Sequence, residues 1–230
     1  MSSAVNVLVA GVGPLRRRVR PGLAGIGPTP HIALTYDDGP DPVSTPAFLR
    51  LLDRTGQRAT FFVLGEHAVR HPVLVREMAA AGHELAVHGW DHRCVLRERP
   101  DALREGVRRT AGILGDLIGA PVRWYRPPYG VLSPAALAAA RDTGLRTVLW
   151  SAWGRDWERR ATPSRIVTTV DRTLRPGGTL LLHDTDRTAA AGSWRRTLAA
   201  SELLLTRWAA TGADVGPLRA HGLRPERVPA

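Results

Sequence analysis

Residues 31–40 read HIALTYDDGP. A short apolar run ends on two adjacent carboxylates, Asp37 and Asp38, and is stopped by Gly39-Pro40. A run of this length bounded by turn residues predicts a buried strand. Comparable runs recur at residues 59–64 (ATFFVL), 84–87 (ELAV), 122–125 (VRWY), 145–150 (LRTVLW) and 179–182 (TLLL), with a last one starting at 213–215. Between them, residues 46–52, 72–81, 101–118, 134–141, 163–174 and 194–210 carry helical patterns. Ser44 or Thr45 is placed to cap the first helix, and Pro163 opens the fifth, where a missing N–H costs nothing. Strands alternating with helices predict a parallel sheet covered by helices. No repeat or linker interrupts the pattern. The expectation is one α/β domain over residues 31–217, open or closed into a barrel, with an N-terminal extension at 1–30 and a C-terminal tail at 218–230.

The chain has 230 residues, 43% of them hydrophobic, which is enough to build a core and excludes wholesale disorder. Its 32 basic residues against 21 acidic ones give a formal net charge of +11. Every basic residue is arginine, and apart from one dense tract at 16–20 the arginines are spread along the chain. That pattern reads as compositional bias and gives a nucleic-acid function little support, because such proteins gather charge on one face. The single cysteine, Cys94, excludes an internal disulfide framework. No apolar run reaches the length of a membrane span. An apolar stretch at 4–12 precedes the arginines, the reverse of a secretory signal. A cytoplasmic location without a cleaved signal is therefore expected, with secretion left open.

In parallel α/β barrels, chemistry gathers after the C-terminal ends of the strands. Each predicted strand here ends in residues suited to it. The first ends in Asp37-Asp38, a pair that repels unless a cation or arginine intervenes. The third ends in His88-Gly89-Trp90-Asp91-His92. Histidines at i and i+4 share one face of a helical turn, and together with a carboxylate they leave coordination positions open on a metal. The fourth ends in Arg126-Pro127-Pro128-Tyr129-Gly130, the fifth leads to Asp156-Trp157, and the sixth ends in His183-Asp184. Taken singly, each has a plain structural reading: an acidic turn, a stiff loop, a core histidine.

In combination, TYDDGP, HGWDH, RPPYG, DW and LLLHD resemble the polysaccharide deacetylase family, whose catalytic unit is the NodB homology domain of carbohydrate esterase family 4. The resemblance covers about residues 31–215. It implies a distorted (β/α)7 barrel and metal-dependent removal of N-acetyl groups from chitin- or peptidoglycan-like sugars. It assigns Asp37 as general base, and Asp38, His88 and His92 as ligands of a divalent ion, with zinc expected. Arg126 would orient the base, the Tyr129 N–H would serve an oxyanion hole, Asp156 would tune His183, and His183 would be the general acid. Trp157 would line the site and Leu181 would face the acetyl methyl. Two positions depart from the family pattern. Gly89 stands where Ser or Thr supports a histidine, and Trp153 stands where an aspartate is usual. Trp90, Trp153 and Trp157 are thereby expected to offer stacking faces to a sugar. The alternatives are a deacetylase of a small N-acylated metabolite and a non-catalytic carbohydrate-binding module.

Overall fold

The computed structural model describes residues 13–223. The apolar stretch at 4–12 and residues 224–230 of the expected tail lie outside the described residues. Eight strands form one sheet: β1 (Ile32–Asp37), β2 (Thr60–Val63), β3 (Glu84–Val87), β4 (Trp124–Tyr125), β5 (Arg146–Thr147), β6 (Ala152–Trp153), β7 (Thr179–His183) and β8 (Val215–Gly216). The order is β5-β4-β3-β2-β1-β7-β6, and every pairing is parallel. The short β8 pairs with the start of β1 on the side away from β7, below the point where β2 begins.

The helices are α1 (Gly13–Val19), α2 (Thr45–Arg54), α3 (Gly65–Arg70), α4 (Pro72–Ala80), α5 (Pro100–Ile118), α6 (Pro134–Asp142), α7 (Pro163–Thr173) and α8 (Ser193–Thr211). Six of them match the helical spacing in the sequence. Neither Ser44 nor the Thr45 hydroxyl caps α2 as expected. Asp41 Oδ1 instead accepts from the N–H groups of Val43 and Ser44, while Thr45 Oγ1 accepts from Asp41 N–H.

Period-two alternation decides what the sheet presents to each side. Ile32, Leu34, Tyr36, Phe61, Val63, Leu85, Val87, Leu180 and Leu182 pack in the large core beneath the helices. The alternate residues Ala33, Phe62, Ala86 and Trp124 form a smaller cluster inside the curl. Extending that inner phase along each strand points Asp37, His88, Arg126, Leu181 and His183 to the interior at one end. In register, Asp37 sits directly beside His183, and Thr35 beside Leu181. Since all strands run the same way, these residues meet at a common C-terminal rim.

The sheet is a curled half-barrel, and β5 and β6 do not pair with each other. The gap is occupied by the chain before residue 31. Leu149 N–H donates to the Leu23 carbonyl (2.8 Å), Thr179 Oγ1 donates to the Gly25 carbonyl (2.7 Å), and Gly27 N–H donates to the Gly177 carbonyl (2.8 Å). Gly25 has φ +66°, and a Cβ there would lie 2.6 Å from Thr179 Oγ1, so only glycine fits. At the other end, Leu218 joins the inner cluster and His221 is fully buried. The packed unit thus extends past both expected ends, because an open sheet edge and the lower mouth of the curl both need covering. The expected fifth strand also differs. After Thr147 the chain leaves the sheet, since the carbonyls of Val148 and Leu149 turn to the Arg126 guanidinium at 3.4 and 2.9 Å.

Candidate active site

At the rim, a pocket of about 280 Å³ is lined by Asp37, Asp38, His88, His92, Tyr129, Trp153, Trp157, Leu181 and His183, together with Gly130, Trp150 and Thr188. Arg126 lies beneath it, fully buried. Its guanidinium donates to Asp37 Oδ1 (2.6 Å) and Thr35 Oγ1 (2.9 Å) and lies over the Phe62 ring at 3.9 Å. The carboxylate, hydroxyl and carbonyls satisfy the charge that burial would otherwise make costly. Burial lowers the Arg126 pKa from its ordinary value, and Asp37 opposes that shift.

Asp38 adopts φ +80°, an uncommon conformation for a residue with a side chain. Its Oδ1 lies 3.1 Å from His88 Nε2 and 3.2 Å from His92 Nε2. The three groups can offer one ligand atom each within 4.8 Å of one another. His88 Nδ1 is 2.8 Å from the Arg126 carbonyl and must donate to it. With Nδ1 so engaged, His88 faces its Nε2 toward Asp38 Oδ1, a buried carboxylate oxygen without a hydrogen-bond partner among the described residues, an arrangement completed by a cation. Burial alone would raise the Asp38 carboxyl. The His88 and His92 contacts and the charge on His183 outweigh it, holding the group well below the usual carboxylate range. These donors suit a divalent metal ion.

The two histidines do not stand on a helical turn, as their spacing had suggested. Gly89 has φ +105° and reverses the chain after β3. Its carbonyl accepts from Gly65 N–H and Thr110 Oγ1, and the Trp90 carbonyl accepts from Glu66 N–H. The rings approach at 5.4 Å between centroids through this loop. His92 Nδ1 is buried without a hydrogen-bond partner among the described residues. The same reversal carries Trp90 out of the site. It packs against Gly65 and Gly106 under the Arg109 guanidinium and does not line the pocket, contrary to the stacking role expected for it.

Opposite the ligands, His183 Nδ1 lies 3.1 Å from Asp156 Oδ1, while Asp156 Oδ2 accepts from His183 N–H (2.8 Å) and Thr197 Oγ1 (2.9 Å). Burial works against a charge on His183. Asp156, with help from Asp38 and Asp37, overrides it and lifts the pKa to about 10. Tyr129 is exposed, holds φ +60°, and sets its ring edge-on to His92 at 4.4 Å. Trp150, Trp153 and Trp157 form a continuous aromatic wall that ends against His183, with successive centroids 6.3, 5.6 and 5.5 Å apart.

The sequence reading missed Thr188, which donates to Asp38 Oδ2, and Thr197 and Trp150. Asp184, which the sequence reading quoted in LLLHD without giving it a role, is fully buried beneath Gly39. Burial lifts its pKa to about 7, against a hydrogen bond from Thr45. Of these, Trp150, three residues before Trp153, and Asp184, beside His183, carried a local signal.

The sequence model described as Polysaccharide deacetylase matches residues 24–148. A chitooligosaccharide deacetylase of Sinorhizobium fredii is 40% identical over 156 residues, 67% of this chain and 72% of its own. A peptidoglycan-N-acetylglucosamine deacetylase of Bacillus cereus is 35% identical over 156 residues, 66% of this chain and 72% of its own. Among solved structures, the Bc1960 peptidoglycan N-acetylglucosamine deacetylase superposes with a TM-score of 0.80 at 28% identity, covering 90% of this chain and 95% of that one. A family 4 carbohydrate esterase from Streptomyces lividans, solved with acetate, gives 0.71 at 29% identity, covering 83% and 92%. The matched residues, the half-barrel and the relatives agree: the chain belongs to the polysaccharide deacetylase family.

Proposed function

We propose that the protein hydrolyses N-acetyl groups on an N-acetylated oligo- or polysaccharide of the chitin or peptidoglycan type. The observation that carries this reading is the placement of Asp37 and His183 as register neighbours on either side of one pocket, beside three converging ligand donors. Its relatives are named as deacetylases of such glycans.

Asp38, His88 and His92 hold the divalent ion, for which zinc suits the one-oxygen, two-imidazole donor set. The chemistry such an ion supplies is Lewis-acid polarisation of the acyl carbonyl and acidification of water. Asp37, fixed by Arg126 through Oδ1, accepts a proton from the attacking water. The Tyr129 N–H stabilises the oxyanion, a contribution of about 2.7–4 kcal/mol for a single donor of this kind. His183, held charged by Asp156, gives its Nε2 proton to the departing nitrogen as the C–N bond breaks. Acetate and a free amine result. Leu181 faces the acetyl methyl, and the tryptophan wall carries the sugar.

The test is acetate release from N-acetylglucosamine oligomers, followed by mass spectrometry with and without chelator. Turnover should stop on chelation and return with zinc. Turnover that ignores the chelator, or no release from any N-acetylated sugar, overturns the reading.

A further inference from the structure

A second cavity, of about 430 Å³, opens behind the tryptophan wall, between the 154–161 loop and α7. Four arginines line it, Arg155, Arg160, Arg165 and Arg172, against one carboxylate, Glu158. Glu158 is taken by Arg155 at 2.5 Å. The Arg165 guanidinium donates to the Arg160 carbonyl, and among the described residues Arg160, Arg165 and Arg172 have no acidic partner. Guanidiniums gathered around one cavity repel each other, and their donor forks match phosphate and carboxylate oxygens. The hydroxyl-bearing Ser164, Thr168 and Thr169 stand among them.

One segment of chain serves both cavities. Trp153 and Trp157 line the reaction pocket, while Gly154, Arg155 and Glu158 line the arginine cleft. Gly154 keeps the wall thin, since a Cβ there would meet Leu182 at 2.6 Å and Ile166 at 2.8 Å. Arg155 holds a left-handed φ of +51°, which turns the chain between the two faces.

We propose that this cleft binds an anionic group, phosphate or carboxylate, carried by the glycan whose neighbouring sugar lies in the reaction pocket, so that the natural substrate is an acidic glycan. The proposal rests on the deacetylase reading and narrows its substrate class. None of the four arginines touches the ligand donors or the Asp37–His183 pair, and all four are exposed, so removing them leaves fold and chemistry in place.

The experiment compares three probes on one backbone: an N-acetylglucosamine tetramer, the same tetramer oxidised to a terminal carboxylate, and the tetramer bearing one phosphate. At low salt, kcat/KM for the anionic tetramers should exceed that for the neutral one by about tenfold, the scale of a few exposed ion pairs acting together. The difference should lie in KM and vanish in Arg160→Ala/Arg172→Ala, with the neutral tetramer unaffected. The stronger of the two anionic probes identifies phosphate or carboxylate as the source. Equal rates on all three, or a preference that survives the double variant, overturns the proposal. If no tetramer is deacetylated, the reaction assignment fails and equilibrium binding still decides the cleft. The phosphate-bearing tetramer should bind the double variant about tenfold more weakly than the unaltered protein, and equal binding overturns the proposal.

Discussion

Both ends of the sheet bury polar groups and treat them oppositely. At the lower end, Glu84 accepts from Thr60 Oγ1 (2.7 Å), Trp124 Nε1 (3.0 Å) and Arg219 N–H (2.9 Å). His221 Nε2 accepts from Gly27 N–H (3.1 Å), and its Nδ1 lies 2.9 Å from His31 Nδ1. At the upper end, Asp38 Oδ1 and His92 Nδ1 are buried with no hydrogen-bond partner among the described residues, and Asp38 and Tyr129 hold left-handed backbone angles. Completed networks stabilise a fold. Unpaired atoms and local strain are tolerated where a ligand will complete them.

The contrast makes its sharpest prediction in His92→Ala. This change should remove bound metal and lower kcat/KM by roughly 10²–10³-fold, the scale on which single electrostatic groups act in hydrolytic sites. The melting temperature of the metal-free protein should stay put. Metal analysis, kinetics and calorimetry together check it, and a large loss of stability would erase the distinction between the two ends. The mirror experiment is Glu84→Ala. Three donors lose their acceptor, so stability in urea should fall by at least about 3 kcal/mol, at about 1–3 kcal/mol per stranded group, while activity per folded molecule is retained.

Acid separates the ends next. Burial, with Arg58 and Arg219 nearby and only Asp53 opposing, pushes His83 from 6.5 down to about 4. Burial also lowers His31, against Asp214, and His221. The unfolded chain takes up these protons first, so their stability is present above pH 6.5 and is lost as pH falls toward 4. Asp184 and His183, both raised, gain stability over the same window, so the lower-end loss is read as a difference: between pH 7.5 and 5 the metal-free protein should lose of order 2 kcal/mol more than its His83→Gln variant. His183 at the rim has the opposite sign: its raised pKa stabilises fully below pH 6.5, and that contribution is lost as pH climbs through about 10. A difference between the two proteins that does not change across that range would contradict the lower-end assignment. The smallest effect is expected of Thr188→Val, which removes the hydroxyl on Asp38 Oδ2. Metal affinity should drop about tenfold, as for other groups that orient a ligand, with no change in fold. Titration with zinc against a competing chelator measures it.

The rim was legible in the sequence because short chemical motifs end strands whose apolar alternation is strong. β1, β2, β3 and β7 each bury an unbroken run, and parallel order then brings their ends together. Legibility failed where tertiary partners override local pattern. Residues 145–150 look like one strand, yet Arg126 draws two of their carbonyls out of the sheet. The spacing of His88 and His92 suggests a helix, but Gly89 bends that segment into a loop and sends Trp90 to the far side of it. Thr188 reaches Asp38 across 150 positions and belongs to no pattern that a local reading detects.

The chain at residues 23–27 acts as the missing stave of the barrel. A truncated protein that starts at residue 31, where the family motifs begin, would keep every catalytic side chain and still expose two raw edges to solvent. Trimming to the motif-bearing region should therefore yield an aggregating product with an intact active-site sequence. Affinity tags placed ahead of the full chain should be tolerated better than a shortened beginning.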